Sequence, residues 1–244
     1  ARETGTYDTG WGWGGKFFDY DNDGWLDLYV VNGWVSAGKD SYVPDIFAMV
    51  IRPNVDFADA RNWPPMGSKS LSGYQKKKLF HNVRGELFQD VAAQNGVDSL
   101  RDGRGIAVAD FDNDGRLDLF VTNAGAAPNL YHNTGAASGV RSADRDDAHW
   151  VSFLLEGTKS NRAATGAQLR LSAGGRTQLS FVNGGNGFAA QSTQRVHFGL
   201  GPASKIERLE VRWPSGRKQT FENLSVDKIY RLVEGDSQVK PLVA

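Results

Sequence analysis

Gly12-Trp13-Gly14-Gly15-Lys16-Phe17-Phe18-Asp19-Tyr20-Asp21-Asn22-Asp23-Gly24-Trp25-Leu26-Asp27-Leu28-Tyr29-Val30 recurs 91 positions later as Gly103-Arg104-Gly105-Ile106-Ala107-Val108-Ala109-Asp110-Phe111-Asp112-Asn113-Asp114-Gly115-Arg116-Leu117-Asp118-Leu119-Phe120-Val121. Gly12 falls on Gly103, Gly14 on Gly105, and every loop aspartate on an aspartate. Self-similarity at this scale marks a repeated structural unit. Each copy reads as strand, Asp-rich loop, strand, with β-rich runs at 28–31 and 119–122. A second shared element follows, Leu79-Phe80-His81-Asn82 and Leu130-Tyr131-His132-Asn133. It lies 53 positions after Asp27 in the first copy (Phe80) and 13 after Asp118 in the second (Tyr131), so the first copy carries a 40-residue insertion within 34–78. Leu87-Phe88-Gln89-Asp90-Val91 reads as one more strand, and a four-stranded blade is expected around 79–121, with partial blades flanking it.

The loop pattern Asp-x-Asp-x-Asp-Gly-x-x-Asp suits a hard cation. Calcium takes six to eight oxygen ligands at about 2.3–2.6 Å, and alternate carboxylates converge when the chain curls around a glycine. The expected ligands are Asp19, Asp21, Asp23, the carbonyl of Trp25 and Asp27 in the first loop. In the second they are Asp110, Asp112, Asp114, the carbonyl of Arg116 and Asp118. Asn22 and Asn113 are expected to stabilise the turns. An EF-hand would need a glutamate at position twelve and flanking helices, whereas Val30 and Val121 stand there inside β-like runs. Four carboxylates gathered without a cation repel one another. Two calcium ions are therefore expected, with calcium favoured over magnesium because an all-protein oxygen cage suits the larger ion.

The bulk numbers narrow the function classes. Lys+Arg and Asp+Glu both number 28 in 244 residues, which gives no basic face for nucleic acid. With 0 cysteines there is neither a disulfide framework nor a thiolate site. No run approaches the roughly 18 apolar residues of a transmembrane segment. The chain opens on Ala1, which a cleaved export signal or excision from a longer protein would both produce. Within the insertion, 45–51 is expected as a short helix stopped before Pro53, and Lys76-Lys77-Lys78 as a solvated loop end.

After Asp147 the texture becomes that of a compact β domain. Strands are expected at 149–155, 167–171, 179–182, 196–198, 209–213, 218–221 and 229–233, with a hairpin turn at Pro214-Ser215-Gly216-Arg217. The expected organisation is a repeat region at 1–135 with the insertion at 34–78, a linker at 136–147, and a sandwich or small barrel at 148–244. The fold class is all-β: partial propeller-type blades with Asp-rich calcium loops, plus this second β domain.

The Asp loops with their Leu-[Phe/Tyr]-His-Asn elements resemble FG-GAP/VCBS-type repeats, the blades of integrin-like β-propellers. The stretch from Ser160-Asn161-Arg162 through Gly166-Ala167, Gly184-Gly185, Gln191 and His197-Phe198-Gly199-Leu200-Gly201 to Trp213-Pro214-Ser215-Gly216 resembles the ASPIC/UnbV domain. The combination resembles the cartilage-acidic-protein-like family, which implies an extracellular or exported, periplasmic or surface, calcium-binding protein. Two loops cannot close a propeller ring. The chain is either part of a longer protein or a shortened form whose open edges are covered, and exposed edges would invite a protein partner.

No catalytic constellation accompanies the acidic loops. His81 and His132 fall in a strand motif and are expected to be structural, as is His197. No nucleophile elbow, His-Glu-x-x-His or phosphate loop is present. The expected function is a non-enzymatic, calcium-binding extracytoplasmic scaffold for protein association, for example an accessory subunit of a membrane-attached or surface assembly. A carbohydrate-binding module is the alternative, with Trp11, Trp13, Trp25, Trp34 and Trp63 as the rings on which a glycan would stack.

Overall fold

A computed structural model describes residues 2–135 and 148–242. The expected linker at 136–147 lies outside the described residues. Among those described, the chain is all-β apart from one eight-residue helix and a short 3-10 turn.

Each Asp loop is the connection of an antiparallel pair. β1 (Gly12–Phe18) pairs with β2 (Asp27–Asn32), with Phe18 opposite Asp27 and Lys16 opposite Tyr29. The first sheet is completed by β3 (Lys78–Val83) and β4 (Leu87–Asp90), in the order β1-β2-β3-β4. β5 (Gly103–Ala109), β6 (Asp118–Asn123) and β7 (Ala126–Tyr131) form a second, three-stranded sheet. The complete blade is thus the first, not one spanning 79–121. The physical reason is the loop itself: the strand before the aspartates folds back on the strand after them, so both belong to one blade. The two sheets share a core. Tyr29 and Val31 of β2 are buried with Ile106 and Val108 of β5 and Leu119 and Val121 of β6.

The insertion holds α1 (Val43–Val50), which starts two residues earlier than the expected 45–51. Pro44 sits in its first turn, where a missing N–H leaves no bond unmade. The helix is apolar on both sides. Tyr42 and Met49 are buried, whereas Phe47, Val50 and Ile51 are 64%, 48% and 79% exposed. The lysine run is not a solvated loop end. Lys76 pairs with Asp98 at 2.8 Å and Lys78 with Asp90 at 2.9 Å, while Lys77 is buried, its Nζ without a hydrogen-bond partner. Lys77 lies just ahead of β3, and burial lowers its pKa to about 8.

The C-terminal part is a sandwich. One sheet has the order β10-β9-β12-β13, built from β9 (Gln168–Ala173), β10 (Arg176–Phe181), β12 (Lys205–Arg212) and β13 (Lys218–Ser225). The other has the order β11-β8-β14-β15, built from β8 (His149–Glu156), β11 (Val196–Gly201), β14 (Lys228–Val233) and β15 (Lys240–Pro241). Alternate residues of both sheets, among them Phe153, Leu169, Leu171, Leu209 and Leu232, fill one core.

Several blade edges are covered from within the chain. Thr193 N donates to Val108 O at 3.0 Å, Ser192 Oγ accepts from Val108 N at 3.1 Å, and Lys16 reaches Asn186 at 2.9 Å. The segment around 186–193 therefore lies along β1 and β5. At the far edge of the first sheet, Phe88 N donates to Thr4 O at 2.8 Å. The edge strand β7 carries Pro128, which blunts further pairing.

Candidate metal centre

The two loops hold themselves in shape by the same bonds. In the first, Gly24 N donates to Asp19 Oδ2 at 2.8 Å, Trp25 N to Asp23 Oδ1 at 2.7 Å and Tyr20 N to Asp27 Oδ2 at 3.2 Å. In the second, Gly115 N donates to Asp110 Oδ2 at 3.0 Å, Arg116 N to Asp114 Oδ1 at 2.8 Å and Phe111 N to Asp118 Oδ2 at 3.0 Å. Asn22 and Asn113 take φ of 59° and 61°, a region Asn tolerates, and Gly24 and Gly115 take 84° and 87°, which calls for glycine.

The Leu-[Phe/Tyr]-His-Asn elements close each loop. Asn82 N donates to Asp27 Oδ1 at 2.8 Å and Asn133 N to Asp118 Oδ1 at 2.7 Å. The asparagine side chains donate to the loop carbonyls of Leu26 and Leu117. His81 Nδ1 lies 3.2 Å from Asp27 Oδ1 and 3.5 Å from Asp21 Oδ2, and His132 Nε2 lies 3.0 Å from Asp112 Oδ2. The structural reading of these histidines did not name their aspartate partners. That they belong with the loops was legible, since the same His-Asn pair follows both.

All eight aspartates take part in convergent groups. Asp19, Asp21 and Asp23 form one, Asp21, Asp27 and His81 a second, Asp110, Asp112 and Asp118 a third, and Asp112, Asp114 and His132 a fourth, each with ligand atoms within 4.8 Å of one another. Protons alone hold the first loop poorly. Burial, and then Asp27, Asp21 and Asp23, push Asp19 well above the usual carboxylate range. Burial, with Asp21 adding to it, raises Asp23 to about 6. Burial raises Asp27 to about 7, against the pull of its bond from His81. Asp19 is 4% exposed, yet its Oδ1 has no hydrogen-bond partner. A buried carboxylate oxygen lacking a donor, beside other carboxylates, fits a hard cation. Both loops offer carboxylate oxygens, with His81 and His132 beside them.

The copies differ in depth. Asp27 and Asp118 are both buried, but Asp19 is buried where Asp110 is half-buried, Asp112 is exposed where Asp21 is half-buried, and Asp114 is paired with the side chain of Arg116. Trp25 stands at the position equivalent to Arg116, and Arg176 lies 4.2 Å above its ring. Trp11 stacks on Trp34 with ring centroids 4.6 Å apart, and Arg104 lies 4.4 Å above Trp13. Each of these rings thus has a face occupied within the chain. His149 pairs with Asp227 at 2.7 Å.

The family model for the FG-GAP repeat matches residues 103–139, and that for ASPIC and UnbV matches residues 157–239. Residues 103–139 thus carry an FG-GAP repeat and residues 157–239 an ASPIC and UnbV domain. The FG-GAP match takes in only the second loop, yet the first makes the same bonds with the same residue types, interrupted by the insertion. The FG-GAP and ASPIC/UnbV chain is similar to cartilage acidic protein 1 of Xenopus tropicalis, at 31% identity over 119 residues covering 48% of this chain and 17% of that protein. It is 42% identical over 67 residues to the Mus musculus protein of that name, covering 27% of this chain and 10% of the relative. The Homo sapiens protein is 26% identical over 162 residues, covering 64% of this chain and 23% of the relative. The chain thus spans less than a quarter of the length of these relatives.

Proposed function

We propose that this FG-GAP and ASPIC/UnbV chain is a non-enzymatic β-scaffold, held by two calcium ions, that mediates protein association outside the cytoplasm. The observation that carries the calcium reading is the buried, donorless Oδ1 of Asp19 inside a loop whose bonding pattern recurs at Asp110–Asp118. Asp19, Asp21, Asp23, Asp27 and the carbonyl of Trp25 hold one ion. Asp110, Asp112, Asp114, Asp118 and the carbonyl of Arg116 hold the other. The ion supplies charge neutralisation and fixes the loop. His81 and His132 position carboxylates and do not act on a substrate.

The calcium reading supports an extracytoplasmic place, where the ion is abundant. The similarity to proteins named for cartilage agrees with it. No described helix is long and apolar enough to cross a membrane. The exposed Phe47, Val50 and Ile51 on the insertion helix support a protein partner, as an accessory subunit of a surface or membrane-attached assembly would need.

Calorimetric titration of chelator-stripped protein tests the calcium reading. Two equivalents are expected, the second loop binding more weakly because Arg116 competes for Asp114. Asp27→Ala should remove one equivalent, and His81→Ala should weaken the first site about 10-fold, as loss of a ligand-orienting group does. Absence of heat, or two full equivalents in Asp27→Ala, contradicts the reading.

A further inference from the structure

The calcium loops do more than close their own blades, because the ASPIC/UnbV domain rests on them. Asn22 sits at the apex of the first loop and is buried. Its side-chain amide donates to Gly115 O of the second loop at 2.9 Å. Its Oδ1 therefore faces His197 Nε2 of β11 at 2.7 Å, and its main-chain carbonyl accepts from Gly201 N at 2.8 Å. With Nε2 carrying the proton, His197 Nδ1 accepts from Ser152 Oγ of β8 at 2.9 Å. Arg176 of β10 donates to the carbonyls of Asp23 and Gly24, both at 3.0 Å. Arg195 donates to Asn113 of the second loop at 2.5 Å. The fit is also steric. A methyl group at Gly199 would collide with Asp19 Oδ2 and Asn22 Cα, and one at Gly115 would collide with the Trp150 ring.

In these bonds the C-terminal domain meets backbone carbonyls and the side chains of Asn22 and Asn113 rather than the loop carboxylates. What the domain reads is the curl of the loops. That curl requires positive φ at Asn22, Gly24, Asn113 and Gly115. In the first loop it also requires mutually repelling, buried carboxylates to stay together.

We propose that calcium in these loops is the latch that docks the ASPIC/UnbV domain onto the blades, with Asn22, Arg176, Arg195 and His197 reading the loop shape. This rests on the calcium reading above. Coupling of this kind is reciprocal, so docking must in turn strengthen calcium binding.

Arg176 separates this from simple electrostatics. Its charge lies near Asp23, and removing a cation should by charge alone strengthen binding of another. Coupling predicts the opposite. The experiment is amide hydrogen exchange on the full chain, with and without calcium, together with calcium titration of wild type, Arg176→Ala and Arg195→Ala. The Gly24 and Gly115 amides report loop closure, and the Gly201 amide reports docking. In wild type, calcium should slow exchange at all three, by about 10-fold at Gly201. In Arg176→Ala the protection at Gly201 should fall below about 3-fold, and calcium affinity should drop several-fold with stoichiometry unchanged. Arg195→Ala should do the same more weakly, through the second loop.

Protected loops with an unprotected Gly201 would overturn the latch and leave the calcium reading standing. Calcium binding that is unchanged or tighter in Arg176→Ala, with Gly201 still fully protected, would also overturn it. No protection at any of the three and no binding would overturn both.

Discussion

Chelation is expected to lower the melting temperature of this protein by about 15–30 °C relative to calcium at about a thousand times its dissociation constant, with both sites filled. A ligand bound only by the folded state, at about a thousand times its dissociation constant, adds about 4 kcal/mol per site. Each kcal/mol moves the midpoint of a domain this size by about 2–4 °C. The effect should depend on pH in a definite direction. Asp23 and Asp27 titrate near 6 and 7 in the metal-free fold, above their unfolded value of about 3.8. A carboxylate raised in this way favours the metal-free fold at low pH, where both states are protonated or the fold holds its proton more tightly. That stability is lost as pH rises through the folded values. Calcium replaces those protons, so the gap between calcium-loaded and chelated melting temperatures should widen from about pH 5 to about pH 8. His197, lowered to about 4 by burial, titrates in neither form across most of this range. Thermal scans in calcium and in chelator at several pH values check this. A gap that stays flat or narrows with rising pH contradicts the assignment of Asp23 and Asp27.

Glu234→Ala is expected to destabilise the C-terminal sandwich by about 3 kcal/mol or more, through unmade hydrogen bonds rather than lost packing. Glu234 is 3% exposed, and its Oε2 accepts from the successive backbone N–H groups of Thr158, Lys159 and Ser160 at 2.9, 2.8 and 2.7 Å. Its Oε1 takes the hydroxyls of Ser160, at 3.1 Å, and Ser215. Burial alone would raise this carboxyl. Its bonds from Ser160, Ser215, Lys159 and Thr158 outweigh that and hold it near 2. The lowered value makes its contribution present at neutral pH and lost only as pH falls from the unfolded carboxylate range towards 2. In the alanine variant at least three amide donors lose their acceptor. Denaturant unfolding measures the loss, and a change below about 1 kcal/mol would show that water replaces the carboxylate at no cost.

What could be read from the chain follows the range of each signal. The Asp loops and the C-terminal strands are local patterns of turn residues and alternation. The strands stand within a few residues of their expected places, from β8 at His149–Glu156 to β14 at Lys228–Val233. The blade partition was misplaced because alternation identifies strands and not their partners. His81 is structural, as its strand motif implies, but its particular partner had no local signal: only the β2–β3 register, with Leu28 opposite Phe80, brings it beside Asp27. The burial of Lys77 just ahead of β3, between two lysines that pair at the surface, has no local signal in the run. The longest-range features had no local signal at all. Asn22 meets His197 across 175 positions, and Glu234 meets its amide cradle across 74 to 76.

A crystal structure grown in calcium, with anomalous diffraction data, tests the central claim most directly. An anomalous peak is predicted in each loop, surrounded by six to eight oxygens at about 2.3–2.6 Å, with Asp19 Oδ1 among them. Two loops without a peak, Asp19 turned towards water and Asp114 still held by Arg116, would contradict the account.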